Sequence, residues 1–180
     1  TMVASALAAG AEAVEAFSDL EELSAASARW PADKRLRAGE RGGKQISGYD
    51  LGNSPLDCLP ERVRGRRLFF TTTNGTRALR RVRSAPVVLT SALVNRRRTV
   101  RYLLEQRPAK VWLIASGWEG NFSLEDSVCA GAIVDGVLAE SDGTIMELAG
   151  NDEMVAAVAL YRQWRDRLLE LLSLASHGQR

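Results

Sequence analysis

The sequence predicts an α/β protein, with a three-layer α/β/α arrangement and a mixed, mostly parallel central sheet. Short β-prone runs alternate with longer helix-prone segments along the chain, which is the order that connected βα units produce. The chain has 180 residues, of which 46% are hydrophobic and 26% charged, as in an ordinary globular domain with a sizeable core. We therefore expect residues 1–180 to form a single α/β domain.

The first elements are predicted from small residues, alternation and a capping signal. Small residues and Leu predict a helix over residues 2–9, and the alternation of side chains over residues 12–17 predicts a short strand. Ser18 and Glu21 have the spacing of a capping box, in which side-chain oxygens accept from free backbone N–H groups. A second helix is therefore predicted to begin there and to end before Pro31.

The alternation of strands and helices continues through the rest of the chain. The further predicted strands cover residues 35–38, 67–71, 86–91 and 110–115. The further predicted helices cover residues 75–82, 95–106, 124–140 and 152–174. The Gly-rich segment 39–55 is long for a connection within a compact domain, and such long loops are usually functional.

Charge and cysteine content exclude several classes of protein. The net charge of +2 is too small to predict a nucleic-acid partner, and no apolar run is long enough to span a membrane. Cys58 and Cys129 are the two cysteines, and without metal-ligand spacing they are interpreted as reduced thiols. We expect a cytoplasmic protein that binds neither nucleic acid nor membrane, and a homo-oligomer is compatible with this composition.

A strand, a tight turn and a helix N-terminus follow one another over residues 68–76. Backbone N–H groups at a helix N-terminus lack intrahelical partners, and the helix dipole favours an anion there. Hydroxyl groups and a glycine that lets the backbone come close fit a phosphate or a sulfonate. On this segment alone an ordinary capped βα turn is the preferred interpretation, since the P-loop pattern is absent. The residues concerned are Thr72, Thr73, Asn74, Gly75 and Thr76.

Three further polar segments occupy comparable positions at residues 39–41, 50–55 and 117–126. They carry acids, amides and hydroxyl groups, and the last follows a predicted strand directly. In open α/β sheets, ligands bind beyond the carboxyl ends of the strands. Loops from that edge are therefore expected to converge on one site.

Taken together, these segments resemble the 2-phosphosulfolactate phosphatase (ComB) family. Their order and spacing match that family along nearly the whole chain, which is far more specific than any one motif. The matching motifs are Gly39-Glu-Arg-Gly-Gly43, Tyr49-Asp-Leu-Gly-Asn-Ser-Pro55, Thr72-Thr-Asn-Gly-Thr76 and Phe122-Ser-Leu-Glu-Asp126, followed by Cys129-Ala-Gly131.

The resemblance implies a magnesium-dependent phosphatase that converts 2-phosphosulfolactate to sulfolactate and phosphate, a step that leads toward coenzyme M in methanogens. It also implies that the chain lacks the family's first strand, which carries an Asp, and its C-terminal end. A similar small 2-phospho acid is a further possible substrate, because fold and family do not determine the substrate. The alternative function is a non-catalytic small-anion-binding protein on the same scaffold.

Three carboxylates are the candidate catalytic residues. Glu125 and Asp126 begin a predicted helix, where acids by themselves complement the helix dipole. The resemblance favours a Mg²⁺ site that includes at least one of them, because magnesium takes one or two carboxylates together with substrate phosphate. Asp50 is either an Asx-turn residue or a metal ligand or acid/base group.

The candidate substrate-binding residues lie on the loops of the same motifs. Arg41 offers a planar fork for bidentate binding of phosphate or sulfonate, and its alternative role is a surface salt bridge. His177 is the single histidine and lies in a polar tail, so metal-assisted attack on phosphorus, by water or by a carboxylate, is the preferred chemistry. With the turn at 72–76, the predicted set is Glu40, Arg41, Asn53, Ser54, Thr72, Thr73, Asn74, Gly75 and Thr76.

Overall fold

The computed structural model describes residues 1–118 and 120–176. His177 lies outside the described residues. The chain divides into two compact units, residues 1–90 and 91–180, and each is described by itself. The prediction of a single domain over residues 1–180 stays a prediction.

The first unit contains the sheet and four helices. Its strands are β1 (Ala13–Ala16), β2 (Arg35–Arg41), β3 (Lys44–Gln45) and β4 (Arg67–Thr71). Its helices are α1 (Met2–Ala8), α2 (Leu20–Ala28), α3 (Pro60–Val63) and α4 (Gly75–Val82), with short 3₁₀ turns at residues 32–34 and 55–57.

The strands form one sheet in the order β1-β4-β2-β3. Strand β4 pairs in parallel with both β1 and β2, while β3 is antiparallel to β2. The predicted mixed, mostly parallel sheet is confirmed. Strand β4 lies between β1 and β2, and its residues Leu68, Phe69, Phe70 and Thr71 are buried, as expected for a parallel strand between two layers.

The two faces of the sheet are covered by different helices. Leu68 and Phe70 of β4 share a buried cluster with Met2 of α1 and Val63 of α3. The alternate residue Phe69 is fully buried and stacks on the ring of Phe17, with ring centroids 6.2 Å apart. Helix α2 contacts β4 and β2, so helices flank the sheet on both sides and the three-layer α/β fold is confirmed.

The N-terminal cap of α2 differs from the predicted one. Asp19, not Ser18, is the N-cap, and its carboxylate accepts from the N–H groups of Glu21 and Glu22, each at 2.9 Å. The hydroxyl of Ser18 instead accepts from a guanidinium nitrogen of Arg80 at 3.0 Å. Asp and Ser cap helices about equally well, so the local sequence permits either residue.

The second unit is helical in the part that the structure describes. Its helices are α5 (Arg96–Gln106), α6 (Leu124–Ala139), α7 (Ile145–Leu148), α8 (Asp152–Trp164) and α9 (Leu168–Leu174). Helix α6 packs on α5 and α8, and the buried core joins Val128, Ala132, Tyr161 and Leu171. The predicted helix over residues 152–174 is wrong in one respect, because it is broken between α8 and α9. The Arg167 N–H donates to the carbonyl of Trp164, three residues back, at 2.8 Å, which ends the α-helical ladder.

The strands predicted over residues 86–91 and 110–115 are wrong. The side-chain pattern of both segments is strand-like, but neither segment pairs with another strand in the part of the chain that the structure describes. Val87, Trp112 and Ile114 are exposed. An apolar β-prone run becomes a strand only where a neighbouring strand accepts its hydrogen bonds, and that condition is not local.

Among the described residues, no helix is both long and apolar enough to cross a membrane.

Candidate functional site

The carboxyl ends of β2 and β4 bring two of the predicted segments side by side. Gly39 and Thr71 are register partners in the parallel pair. A Cβ atom at residue 39 would lie 2.3 Å from the carbonyl oxygen of Thr71, so glycine permits this close approach. Glu40 and Arg41 therefore lie beside the turn that joins β4 to α4.

A buried carboxylate connects the two segments. Glu40 is 8% exposed. Its Oε1 accepts from the N–H of Thr73 at 2.6 Å, and its Oε2 accepts from the hydroxyl of Thr73 at 3.0 Å and from the N–H of Gly43 at 2.9 Å. Arg41 completes this group, which we call the Glu40 cluster. The guanidinium of Arg41 donates to the hydroxyl of Thr71 at 3.0 Å and to the carbonyl of Glu40 at 2.9 Å.

Two effects of opposite sign act on the pKa of the Glu40 carboxyl. Burial by itself raises that pKa, whereas the hydrogen bonds from Thr73 and Gly43 and the charge of Arg41 lower it. The net result is a pKa below the usual value for a glutamate. The carboxylate is therefore ionised at neutral pH and acts only as an acceptor.

Hydrogen bonds within the turn also occupy some of its predicted donors. The N–H of Thr72 donates to the hydroxyl of Thr76, and the N–H of Thr76 donates to the hydroxyl of Thr72, both at 3.2 Å. The Thr76 hydroxyl donates to the carbonyl of Thr72 at 2.8 Å. Among the described residues, the backbone N–H groups of Asn74 and Gly75 have no hydrogen-bond acceptor. These two N–H groups, at the start of α4, are backbone donors that remain available for an anion.

Three further predicted site residues, Asp50, Asn53 and Ser54, lie in the loop after β3. Oδ2 of Asp50 accepts from the backbone N–H of Arg37 at 2.7 Å, and the hydroxyl of Ser54 accepts from the N–H of Leu56 at 3.2 Å. Asn53 is exposed. Within the described ranges, no hydrogen bond or ion pair joins these three residues to the turn at 72–76. Their predicted roles in catalysis and binding stay predictions.

Glu125 and Asp126 lie in the first turn of α6, in the second unit. The hydroxyl of the N-cap Ser123 accepts from the N–H of Asp126 at 3.4 Å. Oδ2 of Asp126 accepts from the backbone N–H of Gly117 at 2.9 Å, so this carboxylate also connects the helix to the preceding turn. Glu125 and Asp126 are half-buried.

The described residues contain no group of three or more His, Cys, Asp or Glu side chains placed to hold a metal ion. Magnesium keeps several waters and takes one or two protein carboxylates together with phosphate oxygens. Glu125 and Asp126 could supply the one or two protein carboxylates of such a site. The hydrogen bond from Gly117 uses only Oδ2 of Asp126 and leaves Oδ1 out. Their role as metal ligands stays a prediction.

Two residues of the Glu40 cluster are not predicted from the sequence. Thr71 is fully buried and accepts from Arg41, and Gly43 donates to Glu40. Thr71 is the last residue of a predicted strand and carries no local signal for a site, and Gly43 belongs to the motif Gly39–Gly43 but is not among the residues predicted to bind substrate. The register of β2 against β4 is the feature that places them there.

The lowered pKa of Glu40 leads to a prediction about stability. A group whose folded-state pKa lies below its unfolded value stabilises the protein above the unfolded pKa, and this contribution is lost as pH falls through the folded pKa. We expect the free energy of unfolding of the wild type to exceed that of Glu40→Gln at about pH 6, and the difference to shrink toward about pH 3. Urea unfolding of both proteins across this range tests it, and a difference independent of pH contradicts it.

Comparison with known proteins agrees with the motifs. A family model described as 2-phosphosulpholactate phosphatase matches residues 1–180. A probable 2-phosphosulfolactate phosphatase of Trichormus variabilis is 60% identical over 178 residues, which is 99% of this chain and 73% of that protein. Similar proteins with the same description occur in Nostoc punctiforme (58% identity, 99% of this chain and 72% of that protein) and Thermosynechococcus vestitus (57%, 100% and 74%). The resemblance inferred from the motifs is confirmed.

Proposed function

This chain belongs to the 2-phosphosulfolactate phosphatase family, and from that premise we propose that it hydrolyses 2-phosphosulfolactate, or a similar small 2-phospho acid, to the 2-hydroxy acid and phosphate. The protein is a phosphoric monoester hydrolase. The structural observation that supports this substrate class is the start of α4, where the N–H groups of Asn74 and Gly75 have no acceptor among the described residues. The guanidinium of Arg41 bonds to the hydroxyl of Thr71, the last residue of β4 before this turn.

We propose that an anionic group of the substrate binds at the start of α4. Helix α4 has eight residues, and its dipole places partial positive charge at the N–H groups of the first turn. Arg41 adds a full charge, and the backbone carbonyl of Glu40 and the Thr71 hydroxyl hold its guanidinium in place. Within 4.0 Å, no carboxylate pairs with Arg41 among the described residues. A ligand anion would therefore not compete with a carboxylate at ion-pair distance from this guanidinium.

We also propose that Glu125 and Asp126 hold a magnesium ion. When bound, Mg²⁺ neutralises charge on the phosphoryl oxygens and orients the attacking group. The chain's own contribution is the placement of both carboxylates, through the start of α6 and the hydrogen bond from Gly117 to Asp126. Hydrolysis breaks the P–O ester bond, and the attacking oxygen comes from water directly or from a carboxylate that water later releases.

A cytoplasmic location and, in methanogens, a place on the route to coenzyme M belong to this proposal, and a homo-oligomer is compatible with it. They rest on the composition and on the family resemblance. Two cysteines without metal-ligand spacing fit a reducing compartment. In organisms that do not make coenzyme M, the same chemistry applies to another small acid with a phosphate on the carbon next to a carboxylate.

Phosphate release from three substrates tests the proposal. We expect magnesium-dependent release from 2-phosphosulfolactate, and rates lower by roughly 10- to 100-fold on 2-phosphoglycolate and 2-phospholactate, because donors built for a second anion are left unpaired by analogues that lack it. Equal rates on all three substrates would remove the sulfonate subsite. Absence of release from any of them, with and without magnesium, would favour the non-catalytic anion-binding protein.

A further inference from the structure

Glu40 is a negatively charged side chain beside the proposed binding site for an anion. A carboxylate in direct contact with a phosphate or sulfonate would repel it. In this structure both Glu40 oxygens are directed to protein donors, namely Thr73 and Gly43. Its charge is thus compensated within the protein and is not available to contact the ligand.

The same hydrogen bonds determine which groups of the turn are available. Glu40 accepts from both donors of Thr73, its N–H and its hydroxyl. Asn74 and Gly75 follow directly in the chain, and their N–H groups are without acceptors in the described residues. Because these hydrogen bonds tie Thr73 to the end of β2, the backbone that follows Thr73 is held as well.

We propose that Glu40 is a positioning residue: it holds Thr73 so that the N–H groups of Asn74 and Gly75 are presented to the anionic group of the substrate, and it does not touch the substrate itself. This inference rests on the proposed function. It assigns Glu40 and Thr73, which the sequence predicts as substrate contacts, to the support of that contact. Preorganised donors bind a developing or resident negative charge without the cost of reorientation.

The first test measures binding of sulfate, a probe that needs no turnover, by calorimetry on the whole chain. In Glu40→Gln one amide oxygen still accepts from the Thr73 N–H, but the new amide N–H₂ faces the N–H of Gly43. We expect the dissociation constant for sulfate to rise about tenfold. We expect the KM for 2-phosphosulfolactate to rise by a similar factor. Equal or tighter sulfate binding overturns the inference, because loss of a repelling charge at a direct contact would strengthen binding.

The chain offers a matched control in its second unit. Oε2 of Glu147 accepts from the N–H of Thr144 at 2.7 Å and from its hydroxyl at 3.0 Å, the same two donor groups that Thr73 directs to the two oxygens of Glu40. Glu147→Gln is expected to leave the sulfate dissociation constant unchanged. An equal loss of affinity in this variant would show that the effect is general destabilisation and would overturn the inference.

A double-mutant cycle keeps the inference testable if one variant folds poorly. Thr73→Val removes the hydroxyl and keeps the N–H, and Thr73→Ser is expected to restore most of the binding that Thr73→Val loses. If Thr73 acts through Glu40, Glu40→Gln combined with Thr73→Val weakens sulfate binding no more than Glu40→Gln alone. Additive losses would mean that Thr73 contacts the anion independently, which overturns the inference.

The outcomes also separate this inference from the proposed function. A wild type that binds sulfate but releases no phosphate removes the phosphatase and leaves the positioning role intact. A wild type that releases phosphate, with sulfate binding unaffected by Glu40→Gln, removes only the positioning role. A wild type that does not bind sulfate at all removes the anion site at α4 and the positioning role with it.

Discussion

The Asp126→Asn variant is expected to stay folded and to lose magnesium-dependent phosphatase activity by a factor on the order of 100. The amide oxygen of asparagine still accepts the hydrogen bond that Gly117 donates to Oδ2 of Asp126. What the substitution removes is the negative charge, which strengthens the binding of a divalent cation to an oxygen ligand. The structural role of this side chain and its proposed role as a metal ligand are thereby separated. Phosphate release, titrated with magnesium, is the measurement.

Helix α8 provides the control for this experiment. Asp152 and Glu153 are also two adjacent acids in the first turn of a helix, and they complement its dipole in the same way. Asp152→Asn and Glu153→Gln are expected to leave activity and magnesium response unchanged. Glu125→Gln is measured separately from Asp126→Asn. If both of these keep wild-type activity and metal response, the two carboxylates act only as dipole partners.

The Gly131→Ala variant is expected to lose about 3 kcal/mol or more of its free energy of unfolding. Gly131 lies where α6 crosses α8, and an added Cβ would be 2.0 Å from the carbonyl oxygen of Ala157 and 3.0 Å from Cβ of Tyr161. A backbone carbonyl cannot move aside as a flexible side chain does. The two helices must therefore separate, which exposes the buried Val128 and Ala132.

Gly136→Ala is the matched control on the same helix. Its added Cβ would meet Cγ2 of Val100 at 2.8 Å, and a side-chain methyl group can shift at smaller cost. Both substitutions gain about 1 kcal/mol of helix propensity, so the difference between them isolates the backbone clash. Urea unfolding of the two variants measures it. Equal stabilities would contradict the close packing of α6 on α8.

Local signals predict most of the elements because their causes are local. The apolar run at Leu68–Phe70 and the polar turn residues after it predict the bounds of β4 and α4. The structure has the same bounds, Arg67–Thr71 and Gly75–Val82. Helix α6 begins at the predicted residue because Ser123 and the acids after it are start signals that depend on a few neighbouring residues. The family motifs are likewise contiguous, and the comparisons confirm the family that they indicate.

Features that depend on partners far along the chain are not predicted. Residues 86–91 and 110–115 have strand-like side chains but acquire no strand pairing among the described residues. The cap of α2 moves from Ser18 to Asp19 while Ser18 bonds to Arg80, 62 residues away. In each case the local preference is worth about 1 kcal/mol or less, so contacts made elsewhere in the fold decide the outcome.

By itself, the sequence determined the α/β class, the family and the βα turn between β4 and α4, where we propose that an anion binds. Only the tertiary structure decided which donors of that turn stay available. Thr73 is occupied by Glu40, 33 residues earlier in the chain, whereas Asn74 and Gly75 keep free N–H groups among the described residues. The physical reason is that a motif specifies residue types and backbone conformation locally, while hydrogen-bond partners follow from the register of β2 against β4.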